Sequence, residues 1–184
     1  MKKLLVFSDL EGTIDEARTQ DLINLFDLIG KYCEKKGYDT FSFTIVTGAG
    51  HGITDEYYSM LLQTKHQIDK DIEFSIFPGL LPGEKKGVID SLVSSDALPV
   101  GYNMEEDEED EFPIAKEVIY FDDYPHNCLK NPSGKEYFES KYDIEYECIV
   151  PIRNIEDVIN HFEVALTKDE GKKPLQKTNN QTNN

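Results

Sequence analysis

Residues 3–13 read Lys3-Leu4-Leu5-Val6-Phe7-Ser8-Asp9-Leu10-Glu11-Gly12-Thr13. An apolar run without polar alternation suits a strand buried on both faces, the environment found inside a parallel sheet. Such a strand cannot stay buried past Asp9, and Gly12 lets the chain turn sharply as it leaves. Two carboxylates two positions apart therefore straddle the exit of a buried strand. Everything else in the chain is read by asking whether this pattern recurs.

It does recur. Residues 21–36 carry Leu22, Leu25, Phe26, Ile29 and Cys33 at helical spacing, with Gly37 as a C-cap. Residues 41–46 (FSFTIV) form a second strand ending at Thr47-Gly48, and Thr54 is placed to cap a helix through Tyr57, Tyr58, Leu61 and Leu62. Residues 72–77 give a third strand and 84–95 a third helix with Val88, Ile89 and Leu92 inward. Residues 118–121 (VIYF) give a fourth strand, which ends in Asp122-Asp123. Ser133 with Glu136 forms a candidate capping box ahead of a helix over 137–142. A fifth strand over 146–150 and a helix over 155–166 capped by Asn154 complete the alternation.

Parallel neighbours need helical crossovers, so this alternation implies an α/β fold: a doubly wound parallel sheet in three α/β/α layers. Ligands in such sheets sit at the C-terminal ends of the strands. Asp9, Thr47 and the Asp122-Asp123 pair each follow an apolar strand directly.

The chain has 184 residues, 39% hydrophobic and 11% aromatic with no Trp, which suits one domain over residues 1–167. An acidic loop at about 104–111 (EEDEEDE over 105–111) self-repels and is read as solvated. Residues 168–184, ending QKTNNQTNN, read as a disordered polar tail. No apolar run approaches the length of a membrane helix and no secretory signal precedes Asp9, so the expected location is cytoplasmic, away from membranes. The formal net charge of −17 disfavours nucleic-acid backbones and anionic surfaces as partners. Any phosphate must then be attracted locally. Cys33, Cys128 and Cys148 show no CxxC spacing and are odd in number, so they are read as reduced thiols.

The strand-end residues suggest phosphoryl transfer. Asp9 is the candidate nucleophile, and Glu11 the acid that protonates the leaving oxygen and then activates water. Thr47 and the backbone of Gly48 are placed to cradle phosphate oxygens. Lys86 is the candidate for neutralising the transferring group, with Lys85 competing for that role. Asp122 and Asp123 supply hard oxygen ligands suited to Mg²⁺. Two like charges at a buried strand end are costly without a cation. Asn127 could orient a metal-bound water or cap its own loop. His51 and His126 lie near strand ends without an assignable role.

In this order, Asp-x-acid-Gly-Thr, then Thr, then Lys, then Asp-Asp, the chain resembles the haloacid dehalogenase-like phosphohydrolase superfamily from Lys3 to about Asn127. The resemblance implies Asp9 as nucleophile, Glu11 where an Asp usually stands, and Thr47, Lys86 and Asp122/Asp123 as the later motifs. It also implies Mg²⁺ held by Asp9, the Glu11 backbone carbonyl and the Asp122/Asp123 pair. Neither interval between the first three motifs has room for the cap module that closes over small substrates in this superfamily. The expected activity is therefore that of a capless phosphatase with an open site, acting on a small phosphomonoester or an exposed phosphate of a macromolecule. Two other readings compete. A phosphoacceptor receiver domain uses similar residues, but its acidic pair follows the first strand, the reverse of the order here. A catalytically inactive domain of the same fold, kept as a binding module, is the non-enzymatic alternative.

Overall fold

The computed structural model describes residues 1–68, 72–81, 83–98, 100, 113–124 and 132–168. The elements alternate as β1 (Lys2–Ser8), α1 (Thr19–Lys36), β2 (Thr40–Val46), α2 (His51–Lys65), β3 (Glu73–Phe77), α3 (Glu84–Asp96), β4 (Ile114–Phe121), α4 (Pro132–Lys141), β5 (Glu145–Ile149) and α5 (Ile155–Thr167). The five strands form one sheet in the order β3-β2-β1-β4-β5, and every pairing is parallel. The doubly wound α/β/α architecture follows from the sequence as expected. The acidic loop, the polar tail, His126, Asn127 and Cys128 lie outside the described residues.

Two apolar clusters fill the spaces between layers. Leu4, Val6, Phe43 and Ile45 from the sheet pack with Leu22, Phe26 and Ile29 of α1, Tyr57 and Leu61 of α2, and Val158 and Phe162 of α5. On the opposite face Leu5, Phe7, Val118 and Tyr120 pack with Ile89 and Val93 of α3 and with Phe138 of α4. Adjacent side chains on a strand point to opposite faces, so the unbroken run Leu4–Phe7 feeds both clusters, which explains its lack of alternation.

Local chemistry sets the helix ends, and three of them differ from the sequence reading. Helix α1 begins at Thr19 rather than Asp21, because the Asp21 carboxylate reaches back to accept the Arg18 amide at 2.8 Å. Thr54 lies inside α2 rather than at its cap. Gly50 is the N-cap, and the Thr54 hydroxyl donates to the His51 carbonyl at 3.0 Å. Helix α4 begins at Pro132, so Ser133 lies within it rather than before it. Two other ends are as read: Gly37 is left-handed at φ 73°, and Asn154 Oδ1 accepts the Asp157 amide at 3.1 Å.

Cys33 is buried, whereas Cys148 on β5 is disulfide-bonded, which corrects the expectation of three reduced thiols. Spacing tests find metal clusters and frameworks but are blind to cysteines that only folding brings together. Among the described residues no helix is long and apolar enough to cross a membrane.

Buried charge appears in two places away from the C-terminal strand ends. Lys3 Nζ bridges Glu73 at 2.6 Å and Asp96 at 2.8 Å. Glu117 of β4 is buried beside α1, where its Oε1 accepts the Tyr32 hydroxyl at 2.8 Å and its Oε2 has no hydrogen-bond partner among the described residues.

Candidate active site

The parallel register places the polar strand ends side by side. Ser8 of β1 pairs with Ile45 of β2 and with Phe121 of β4, so Asp9 and Asp122 leave adjacent strands at the same level and Thr47 follows just beyond on the other side. The Asp9 amide donates to the Phe121 carbonyl at 2.9 Å, extending the ladder into the site. The chain continues from β1 to β2 through α1 on one face, while β4 is reached through α3 on the other. The β1/β4 boundary is therefore the point where the winding reverses, the place where doubly wound sheets open a crevice.

Asp9 is buried, with Oδ1 accepting the Leu10 amide at 2.8 Å and Oδ2 paired to Lys85 Nζ at 2.8 Å. Burial raises the Asp9 carboxyl above its ordinary range. Lys85 opposes that shift, and the charge of Asp122 adds to it. Asp122 is fully buried: Oδ1 accepts the Tyr124 amide at 2.8 Å, and Oδ2 accepts from Lys85 at 3.2 Å and from the Tyr120 hydroxyl. Asp123 is pushed up by burial and by the charges of Asp122 and Asp9. Gly12 lies against it at φ 72°, and a Cβ there would stand 2.7 Å from Asp123 Oδ2. Positive φ and close approach both require glycine at that turn.

Oxygens of Asp9, Asp122 and Asp123 lie within 4.8 Å of one another. With all three ionised and only Lys85 among them, two negative charges remain uncompensated. Burial is the main reason the Asp9 and Asp123 carboxyls are raised, and the neighbouring carboxylate charges add to it. Hard oxygen donors with this excess charge fit a divalent cation of the Mg²⁺ type.

Thr47 is buried, its Oγ1 accepting the Ala49 amide at 3.1 Å, which leaves the hydroxyl proton uncommitted among the described contacts. Its carbonyl accepts the Leu80 amide at 3.0 Å, tying the two neighbouring strand ends together. Gly48 is exposed. Glu11 is also exposed, on the turn that carries Leu10 and Ile14 into the core, and it does not join the acidic cluster. The hydroxyl of Thr13, buried on that same turn, has no hydrogen-bond partner among the described residues.

Of the two candidate lysines, the structure brings Lys85 rather than Lys86 to the acidic cluster. Lys86 points away, its Nζ 4.9 Å from the centre of the Tyr137 ring, while Lys85 is the lysine buried against Asp9 and Asp122. The cause is helical phase. Lys85, Ile89 and Val93 are the buried positions of α3, and Lys86 is rotated about 100° off that face. The Tyr120 hydroxyl was missed altogether, although its spacing two residues before Asp122 puts both side chains on one face of β4.

No protein-family model, curated protein or solved structure matches the chain. The fold and the arrangement of side chains are therefore the whole basis for a functional reading.

Proposed function

We propose that the chain is a magnesium-dependent phosphatase of the haloacid dehalogenase-like type, hydrolysing a phosphomonoester through an aspartyl phosphate on Asp9. The observation that carries this reading is the contact of one buried ammonium, Lys85, with both Asp9 and Asp122 at the winding reversal of the sheet. A lysine so placed keeps Asp9 ionised despite burial and faces the charge of an arriving phosphoryl group.

Asp9, Asp122, Asp123 and the Glu11 backbone carbonyl would hold Mg²⁺, which would supply charge neutralisation for the phosphoryl oxygens. A carboxylate oxygen of Asp9 attacks phosphorus, and the P–O bond to the leaving group breaks as Glu11 donates its proton to the departing oxygen. Glu11, now ionised, takes a proton from the water that attacks the phosphorus of the acyl phosphate. That step releases inorganic phosphate and restores the Asp9 carboxylate. Exposure and the lack of any described partner leave the Glu11 side chain free to reach a substrate. Thr47 and Gly48 line the phosphate side.

The short links 9–18 and 47–50 carry no inserted module, which suits a small phosphomonoester or a protruding phosphate on a larger molecule. The strand order also departs from the 2-1-3-4-5 order of receiver domains. Turnover of an aryl phosphate with and without Mg²⁺, for wild type and Asp9→Asn, is the direct test. The expected result is magnesium-dependent turnover that the substitution abolishes, together with loss of acid-stable protein-bound phosphate. Equal turnover by the two proteins would reject Asp9 as nucleophile, and none from either would favour the binding-module reading.

A further inference from the structure

Asp122 is restrained on every side that the structure describes. Its amide donates to the Ile149 carbonyl at 3.2 Å and its carbonyl accepts the Ile152 amide at 3.0 Å, which fixes the backbone between β5 and the segment after it. The side chain is then held by the Tyr124 amide on Oδ1, and by Lys85 and the Tyr120 hydroxyl on Oδ2. Asp9, by contrast, has the Leu10 amide and Lys85. The Tyr120 contribution differs in kind from that of Lys85. A lysine on a flexible stem can follow a moving carboxylate, whereas the Tyr120 ring is fully buried among Leu5, Phe7, Val118 and Phe138 and cannot.

A pinned carboxylate matters for the choice of ion. Mg²⁺ demands short, nearly ideal octahedral coordination, whereas Ca²⁺ accepts longer bonds and irregular geometry, so selectivity between them depends on how far the ligands can move. Building on the magnesium reading above, we propose that Tyr120 is a positioning residue that pins the Asp122 carboxylate and so makes the site prefer Mg²⁺ to Ca²⁺. The hydroxyl touches neither substrate nor reacting atoms; it acts through Asp122.

The structure provides a matched control. Tyr146 lies on the same face of the sheet and is also buried, and its hydroxyl has no hydrogen-bond partner among the described residues. Removing that hydroxyl removes the same atom type from the same layer, near the charge of Asp122, without taking a hydrogen bond from it.

The test is calorimetric titration of the full chain with MgCl2 and, separately, CaCl2, for wild type, Tyr120→Phe and Tyr146→Phe. Tyr120→Phe is expected to lose about 10–100-fold in Mg²⁺ affinity, the usual effect of removing a partner of a metal ligand. Its Ca²⁺ affinity is expected to fall much less, so that the Mg²⁺/Ca²⁺ ratio drops at least about tenfold. Tyr146→Phe is expected to keep the wild-type ratio. Thermal unfolding without added cation checks that each variant is folded, and Tyr120→Leu, which also lacks the hydroxyl, replaces Tyr120→Phe if that protein does not fold. An unchanged ratio, or equal losses for both ions, in a folded variant would overturn the role of Tyr120 while leaving the magnesium site intact. A wild-type chain that binds neither ion would overturn the magnesium reading itself, and this inference with it.

Discussion

Two lysines in this molecule are buried to a similar degree, and each bridges two carboxylates, yet the two sites differ in what surrounds them. Lys3 meets Glu73 and Asp96, whose side chains are 67% and 30% exposed. Lys85 meets Asp9 and Asp122, whose side chains are 8% and 0% exposed. Around Lys3 the excess negative charge is relieved by water. Around Lys85 the Asp9 and Asp122 charges are enclosed, and Asp123 adds its own charge from a more exposed position. An ion cluster with solvated acids anchors a strand, whereas one with enclosed acids and one cation too few is prepared for a ligand.

The most decisive way to break this comparison is to remove each ammonium in turn. Lys85→Met strands two buried carboxylates and should lower turnover by about 10²–10³-fold, with about 3–5 kcal/mol lost from the cation-free fold. Lys3→Met leaves partners that water can reach, so its cost should be about 1 kcal/mol with turnover unchanged. Denaturant titrations beside phosphatase assays measure both. Similar behaviour of the two variants would erase the distinction between anchor and site.

A second pair of substitutions sharpens it. Gly12 and Gly37 share nearly the same backbone conformation, at φ 72° and 73°, but only Gly12 has a carboxylate against it. Gly37→Ala should cost about 1–2 kcal/mol from backbone strain alone. Gly12→Ala should cost at least that much and should also displace Asp123, weakening Mg²⁺ binding in a titration where Gly37→Ala leaves it intact.

The smallest effect expected is the pH response of Glu117, a buried carboxyl remote from the cluster. Burial raises its folded pKa, while the Tyr32 hydroxyl and the charge of Lys36 pull the other way. Because the folded value lies above the unfolded one, the stabilisation is complete below the unfolded pKa and disappears as pH rises through the folded pKa. Asp9 and Asp123 shift in the same direction, so Glu117→Gln is needed to isolate this group. Unfolding midpoints from about pH 4 to about pH 8 should show wild type losing stability relative to Glu117→Gln as pH rises. A constant difference would show that Glu117 titrates alike in both states.

Much of this was legible in the sequence because burial on both faces leaves an unmistakable apolar run. Leu4–Phe7 and Val118–Phe121 announce central strands, and the first charged residue after each must lie at a strand end. Asp9 and Asp122 stand at those strand ends, and Thr47 stands at the end of β2. Helical details were less visible, since they depend on phase and on single hydrogen bonds. Choosing Lys85 over Lys86 required following the four-residue spacing back from Ile89, and Thr54 looked like a cap until Gly50 took that role. The disulfide at Cys148 leaves no local trace at all.

The register also dictates when the site can exist. β1 is synthesised well before β4, its neighbour in the finished sheet, whose residues emerge only after α3 is complete. A ribosome-bound chain that has made α3 carries Asp9 and Lys85 but lacks Asp122 and Asp123, so no acidic trio can assemble on it. Lys85 precedes those two acids in the chain, and the counter-ion is thus on hand before the repulsion it offsets. Docking β4 onto β1 closes a long loop, a step whose entropy cost places it late in folding. Catalytic competence, on the reading proposed above, becomes a report that the sheet has closed.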